Sequence, residues 1–444
     1  MSTILLVGVF LFADEKIPIS GSSKRALYFT IITSTIITSA LYPPTSLTIL
    51  NYANVFLSVT YALRLVELLV THNPSQMKRL ERIHDDHSFP VYAWKSMPPA
   101  LSFRRLVYVC DLLINPRGIG WAHGSKKYLP RLERLNTKSR ATVGHDPRKI
   151  GYDREHEVYS KLILKDPTRR LAFLVTESLK LIIAYMIYDA YRTFGYRDDL
   201  VCTNLYALLN SSALQHFESN YLGLRLHVSL ETASKFARGL LSPPACWAAS
   251  YAFVDGIRAS FALFAVGGLY LVSPTLADDP WMYPPVFGSL QHFFSLKLKD
   301  IWGKFWHDLC RRALLSTATV IIPRQAPNYL RRTLIGFLSF MLSGVAHAAG
   351  TYTVTRDAQS SFVMIIFFTL IPIFIILQEI VTGQILPRFL PDWWITRAVI
   401  WILDAAYVLW WGYHTAPWFF RYSMIPEALV SVPVSGRWSL WGSS

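Results

Sequence analysis

An all-α, polytopic transmembrane helix bundle is the fold class this sequence predicts, on three observations. Long runs carry no Asp, Glu, Lys or Arg: residues 26–63 and 333–355 are two of them, each long enough to cross a bilayer core of about 30 Å. The composition is 52% hydrophobic with a mean hydropathy of +0.29. A soluble chain of 444 residues would divide into two or three domains; uncharged runs of this length argue for one membrane bundle instead. Tryptophans 393, 394, 410, 411 and 418 bracket one apolar stretch as an interfacial belt does.

Charge follows the same division. The net charge is +15, from 44 Lys and Arg against 29 Asp and Glu. The basic residues lie between apolar spans, the distribution that sets membrane orientation, and not along a polar chain that would hold nucleic acid. Cys110, Cys202, Cys246 and Cys310 are far apart and form no CxxC pair. Neither a disulfide framework nor a zinc site is expected, and no metal is.

Taken in order, residues 4–13 are apolar but short for a span, and no basic flank or small-x-small site marks a cleaved signal. Pro43-Pro44 divides the run 26–63 and predicts two helices, about 25–41 and 47–70. Residues 73–170 form the main polar region, with 20 of the Lys and Arg against 10 acidic residues, and are read as cytosolic. Within them, His84 and His87 stand at i, i+3 in a charged stretch that offers a metal little. The run 115-NPRGIGW-121 has two turn-forming glycines and an Arg suited to a phosphate, without nucleotide-loop spacing. Residues 171–190 predict a span with Glu177 and Lys180 poised to pair. Residues 199–217 and 219–239 are mixed, and 245–273 is a long apolar stretch with Asp255 and Arg258 on one face. Ala358–Gln378 and about 398–418 complete the set, the last carrying Asp404, an intramembrane carboxylate and so a site candidate. The count expected is seven to nine spans. The division expected is 1–72 as N-terminal helices, 73–170 as the basic loop region, and 171–444 as the core with a motif block at 284–350.

The motif block holds two histidines forty residues apart. In 333–355, His347 is the only readily ionisable group. On a helix it shares a face with Ser343, Gly344, Gly350 and Thr351. That face suits a ligand, or a close helix neighbour with the imidazole bonded across. In 300-DIWGKFWHDLCRR-312, a helix would set Lys304, Asp308, Arg311 and Arg312 on one side and Trp302, Phe305, Trp306 and Leu309 on the other. His307 falls at the border. Such a helix lies at the membrane surface, as an anchor or as the rim of a site.

The pair resembles the two signatures of the wax synthase-like branch of the membrane-bound O-acyltransferases. Those are a block of the type S-L-x-D-F-W-G-R-x-W-H and a later S-G-x-x-H. Here they read 295-SLKLKDIWGKFWHDLCRR-312 and 343-SGVAH-347. The stretch 284-PPVFGSL-290 resembles the family's proline-rich lead-in, and 115-NPRGIGW-121 resembles a segment common in fungal members. Ile301, Lys304 and Ala348 depart from the pattern. The resemblance implies a bundle of that family's type, with acetyl-CoA or another acyl-CoA as co-substrate and no bound cofactor. It implies His347 as general base and His307 as a hydrogen-bonding partner of the reacting groups. Ser343, Trp306 and Asp404 become candidates for substrate binding, and Lys304, Arg311 and Arg312 for the phosphates of coenzyme A. No G-x-S-x-G elbow is present, so no acyl-enzyme is expected. The fungal resemblance favours acetyl transfer from acetyl-CoA to a terpenoid-type hydroxyl in a multi-pass protein of the endoplasmic reticulum. Wax-ester synthesis and a non-enzymatic transporter remain alternatives; the absence of an evident internal repeat counts against the last. No histidine boxes of a di-iron oxygenase occur.

Overall fold

The computed structural model describes residues 2–13, 21–43, 48–72, 76–83, 91–124, 126–129, 132–134, 162–164, 170–195, 229, 242–272, 278–306, 308–391, 393–423 and 425. Among them, six helices are long and apolar enough to cross a membrane: Leu50–Thr71, Arg170–Thr193, Pro244–Val272, Asn328–Thr355, Ala358–Phe389 and Trp394–Ser423. The expected stretches 199–217 and, apart from residue 229, 219–239 lie outside the described residues, as do His84, His87 and His307.

Helix α1 (Ser2–Ala13), α2 (Gly21–Leu41) and α3 (Thr48–Val66) open the chain, with α3 continued by a π-helical turn to Thr71. The break between α2 and α3 falls at the double proline. The polar region adds what hydropathy alone did not foretell, a four-stranded antiparallel sheet. Its strands are β1 (Lys78–Ile83), β2 (Val91–Ser96), β3 (Leu132–Arg134) and β4 (Leu162–Leu164), in the order β1-β2-β4-β3. Helix α4 (Phe103–Ile114) follows β2 and starts at Ser102, whose side chain accepts from Arg105 N at 3.2 Å.

Part of the polar region is thereby fastened to the first helices. Arg105 is fully buried and donates to Leu11 O through Nε and Nη2, at 3.0 and 2.9 Å. A cation at the end of α1 satisfies a carbonyl the helix itself leaves open. Val7, Leu11, Tyr28, Leu65, Tyr108 and Trp121 share the apolar cluster beneath.

Helix α5 (Arg170–Ala190) packs on α6 (Ser242–Leu263). Both ion pairs foreseen there form: Lys180 Nζ lies 2.9 Å from Glu177 Oε1, and Arg258 Nε 2.6 Å from Asp255 Oδ1. Arg258 also pairs with Glu177 across the two helices, so buried charge is matched between them.

After α7 (Leu290–Phe294) and α8 (Arg311–Ile321) come α9 (Asn328–Thr355), α10 (Ala358–Gln378) and α11 (Trp394–Ser423). Helices α9 and α10 form a hairpin with a two-residue turn. Arg356 takes a left-handed conformation and closes α9 through its N–H to Tyr352 O at 2.9 Å. Asp357 then caps α10, accepting from Gln359 N at 3.0 Å and Ser360 N at 2.8 Å. The hairpin is tight because residue 344 is glycine: a Cβ there would stand 3.0 Å from Phe368 Cβ and 3.1 Å from Ile365 Cα. Within a membrane such small residues allow helices to approach where burial from water supplies no drive.

Candidate active site

The segment expected to be one amphipathic helix from 300 to 312 is two pieces. A helical turn at Leu298–Asp300 runs into a π-helical turn at Ile301–Phe305, and Trp306 then turns to an extended conformation. Helix α8 restarts only at Arg311. Tertiary contacts with the proline-rich lead-in break the helix. Gly288 N donates to Phe305 O at 2.8 Å, and Asp308 N to Val286 O at 3.3 Å. Ile301 and Phe305 are buried, so the block is packed into the protein and is not a surface anchor.

Its charged residues are largely spent on holding it. Arg117, of the glycine-containing turn, donates to the carbonyls of Pro284 and Pro285 at 2.7 and 2.8 Å and faces Asp308 at 3.5 Å. It staples the lead-in to that turn. The turn itself needs its glycines, since Gly118 and Gly120 have φ of +64° and +79°. Arg311 donates to Gly303 O at 2.6 Å and closes the π-helical turn.

Arg312 binds Glu67 Oε1 at 2.6 and 3.0 Å and also donates to the carbonyl of His123. Glu67, fully buried, also binds Arg64. Arg312, expected at a coenzyme phosphate, has its guanidinium engaged by a buried carboxylate from α3 in this structure. Lys304 differs from both arginines. It pairs with Asp300 at 2.7 Å while its side chain stays 53% exposed.

His347 sits on α9 where that helix faces α3 and α10. Its Nδ1 lies 2.6 Å from Tyr52 Oη. The ring stacks on Phe368, with centroids 4.5 Å apart and planes at 11°, and Phe56 stands 4.7 Å away. The imidazole borders a cavity of about 320 Å³, whose wall also includes Ser343, Trp302, Trp306, Cys310 and Arg311. Both motifs thus meet at one cavity: the S-G-x-x-H serine and histidine on one side, the W-G-K-F-W segment on the other. Burial pushes the Cys310 thiol up to about 11, so at neutral pH it is no nucleophile.

Trp306 is also part of the wall of a second cavity of about 370 Å³, together with Trp247, Tyr251, Phe305, Trp411 and Tyr413. This one is lined almost wholly by apolar and aromatic side chains. Trp306 thus borders both spaces, and its ring is 6.0 Å from that of Trp302, which borders the first.

Asp404 is buried but is not among the residues bordering either cavity. Its Oδ1 accepts from Gln378 Nε2 at 2.9 Å and Thr382 Oγ1 at 2.7 Å. Gln378 in turn accepts from Leu298 N at 2.8 Å and donates to Leu296 O at 3.1 Å. The carboxylate thus anchors the glutamine that holds the start of the motif block.

Sequence reasoning missed Tyr52 and Glu67. Tyr52 is 295 positions from His347; its only local signal is the polar pair Asn51-Tyr52 inside an uncharged run. Glu67 is the first acidic residue after that run, which is a better signal, since a charge at a span's end that is wholly buried needs a partner.

Six apolar helices, and a half-buried imidazole bordering a cavity with aromatic walls, define an integral membrane protein with a polar group at an internal site. Residues 283–370 match the membrane bound O-acyl transferase family, a stretch that contains both 295–312 and 343–347. An acetyltransferase of Arthrinium sp is 28% identical over 140 residues, 30% of this chain and 30% of that protein. An O-mevalon transferase of Penicillium terrestre is 36% identical over 84 residues, 17% and 19% of the two chains. An acetyltransferase of Rhodocybe pseudopiperita is 27% identical over 139 residues, 28% and 33%. The matched stretches cover a third or less of these relatives' own lengths. No solved structure matches the chain.

Proposed function

We propose that this protein is a CoA-dependent membrane O-acyltransferase that moves an acyl group, acetyl in the first instance, to a hydroxyl of a lipophilic terpenoid-type acceptor. The observation that carries the reading is the single cavity on which His347, Ser343 and the motif tryptophans converge. His347 takes the proton of the acceptor hydroxyl as its oxygen attacks the thioester carbonyl. The tetrahedral oxyanion collapses, the C–S bond breaks, and the imidazolium returns the proton to the departing thiolate. Ser343, one turn before His347, binds the hydroxyl or orients the ring. His307, from the resemblance, donates to the carbonyl oxygen as charge develops there.

The apolar cavity beyond Trp306 suits the body of a rigid, lipid-soluble alcohol, which reaches the site from the bilayer. Lys304, half exposed at the rim, and Arg311 suit the phosphates of the coenzyme. Relatives named acetyltransferases support acyl transfer, and those called O-mevalon transferases widen the donors worth testing. The endoplasmic reticulum is the expected membrane.

The test uses membranes holding the protein, a mixed pool of terpenoid and fatty alcohols, and labelled acetyl-CoA or palmitoyl-CoA. A mevalonyl thioester serves as a third donor. Ester from acetyl-CoA in wild type, lost in His347→Ala and reduced in His307→Ala at equal protein, is the expected result. Ester from palmitoyl-CoA alone reassigns the protein to wax-ester synthesis. No thioester consumed with any donor refutes the enzyme.

A further inference from the structure

Tyr52 stands where a positioning group for His347 should stand, and the chain makes specific room for it. Its hydroxyl is 2.6 Å from His347 Nδ1. The residue is buried, 7% exposed, on α3. Its ring lies against α9 at Gly350: a Cβ at that position would be 3.0 to 3.1 Å from three atoms of the tyrosine ring. Phe56, one turn further along α3, covers the imidazole at 4.7 Å. Helix α3 therefore sets a hydroxyl against Nδ1 of the histidine and an aromatic ring against the imidazole.

A neutral imidazole carries one proton, and the hydrogen bond at one nitrogen decides what the other can do. If the tyrosine hydroxyl donates to Nδ1, the ring proton is on Nε2, and that atom can donate but cannot act as a base. If Nδ1–H donates to Tyr52 Oη, Nε2 keeps its lone pair. We infer that Tyr52 is a positioning residue that accepts from Nδ1–H and holds His347 in the tautomer whose Nε2 is the proton acceptor of the transfer. The inference rests on the general-base reading of His347. During the reaction the same bond gains strength, because the imidazolium is the better donor.

Two measurements test it. In the first, ¹⁵N-histidine protein in lipid nanodiscs is examined by NMR, with the His347 signals assigned by their loss in His347→Gln. This readout needs no turnover. Wild type is expected to show a protonated Nδ1 and an unprotonated Nε2, and Tyr52→Phe to show mixed tautomers. A protonated Nε2 in wild type overturns the inference whatever the enzyme's substrate is.

The second measures acyl transfer from labelled acetyl-CoA to the terpenoid alcohol that wild type acylates fastest. Tyr52→Phe is expected to lower kcat roughly 10- to 100-fold, part of the ~10²–10⁴-fold a positioned base contributes, with KM for acetyl-CoA little changed. The acid limb of its pH profile is expected to move down by about half to one unit, since the lost bond favoured the imidazolium. An unchanged rate, or a fall in rate with the acid limb unmoved, overturns the positioning role. Full activity in His347→Ala, with the tautomer as expected, would place the failure in the general-base reading instead.

Discussion

Gly288→Ala tests whether the lead-in holds the catalytic block in place. A Cβ at residue 288 would stand 2.0 Å from Lys304 O, 2.9 Å from Lys304 C and 3.1 Å from Phe305 Cα. Every one of those atoms is backbone, so no side chain can rotate away. Relief to an ordinary contact of about 3.4 Å requires more than about 1 Å of displacement between the two strands of chain. The Gly288 N to Phe305 O bond, 2.8 Å long, is stretched in the process. Overpacking of this kind costs about 1–3 kcal/mol, and the strained hydrogen bond adds about 1 kcal/mol. A misplacement of about 1 Å near reacting groups costs on the order of 10²-fold in rate. Phe305 neighbours Trp306, which borders both cavities, so rate is expected to suffer more than stability. The assay is acyl transfer at equal protein, alongside the thermal midpoint in detergent. Gly256→Ala is the control, because a Cβ there meets Ala184 and Leu181 at 3.7 and 3.8 Å, ordinary contact. Wild-type rate and midpoint in Gly288→Ala would refute the reasoning.

Gln378→Leu removes the link from Asp404 to Leu296 and Leu298; two buried polar partners lose about 1–3 kcal/mol each, and the initial rate of acyl transfer is expected to fall about tenfold or more. His123 titrates far below an ordinary histidine, at about 2, pushed down by burial and then by Arg64 and Arg312. Its folded pKa is below the unfolded value of about 6.5, so the unfolded chain binds the extra proton and stability falls as pH drops below 6.5, by up to about 1.4 kcal/mol per unit. His123→Gln should flatten the fall in thermal midpoint between pH 6.5 and 5 and leave the midpoint at pH 8 alone. Lys304→Ala should raise KM for acyl-CoA about two- to fivefold with kcat kept, as for one exposed charge. Arg312→Ala, by contrast, strips the buried Glu67 of one partner and should lower the thermal midpoint, with a cost of about 3–5 kcal/mol.

The spans were legible because the property that makes them is local. An uncharged run between basic segments needs no knowledge of its neighbours, and the small face at Ser343, Gly344, Gly350 and Thr351 correctly marked where α9 meets other helices. Ion pairing at Glu177–Lys180 and Asp255–Arg258 was equally local. The break at Trp306 was not. Periodicity from 300 to 312 favours a continuous amphipathic helix, and only the backbone bonds from Val286 and Gly288 override it. The sheet was hidden for a related reason. Strand β1 reads KRLERI, too charged to show alternation, and it is held by pairing with β2 and by Arg79–Asp111 at 3.2 Å. The partners of the basic residues were not legible: Arg117, Arg311 and Arg312 look alike in the sequence, while the fold sets Arg117 and Arg311 against backbone carbonyls and Arg312 against a buried carboxylate.

The surroundings of His347 set two requirements that pull against each other. A base that works in an aromatic box must gain a positive charge there, and a charge removed from water is costly unless paired or hydrogen-bonded. The rings at 4.5 and 4.7 Å offset part of that cost through their π faces. Tyr52 supplies an oxygen for one N–H of the imidazolium. No carboxylate borders the cavity among the described residues, so nothing there traps the proton once taken. The cheapest path is then one in which the charge is brief: the proton comes from the alcohol and leaves to the thiolate within the same enclosure. Such a site favours a direct transfer between two bound substrates over a stepwise route through a charged or covalent enzyme intermediate.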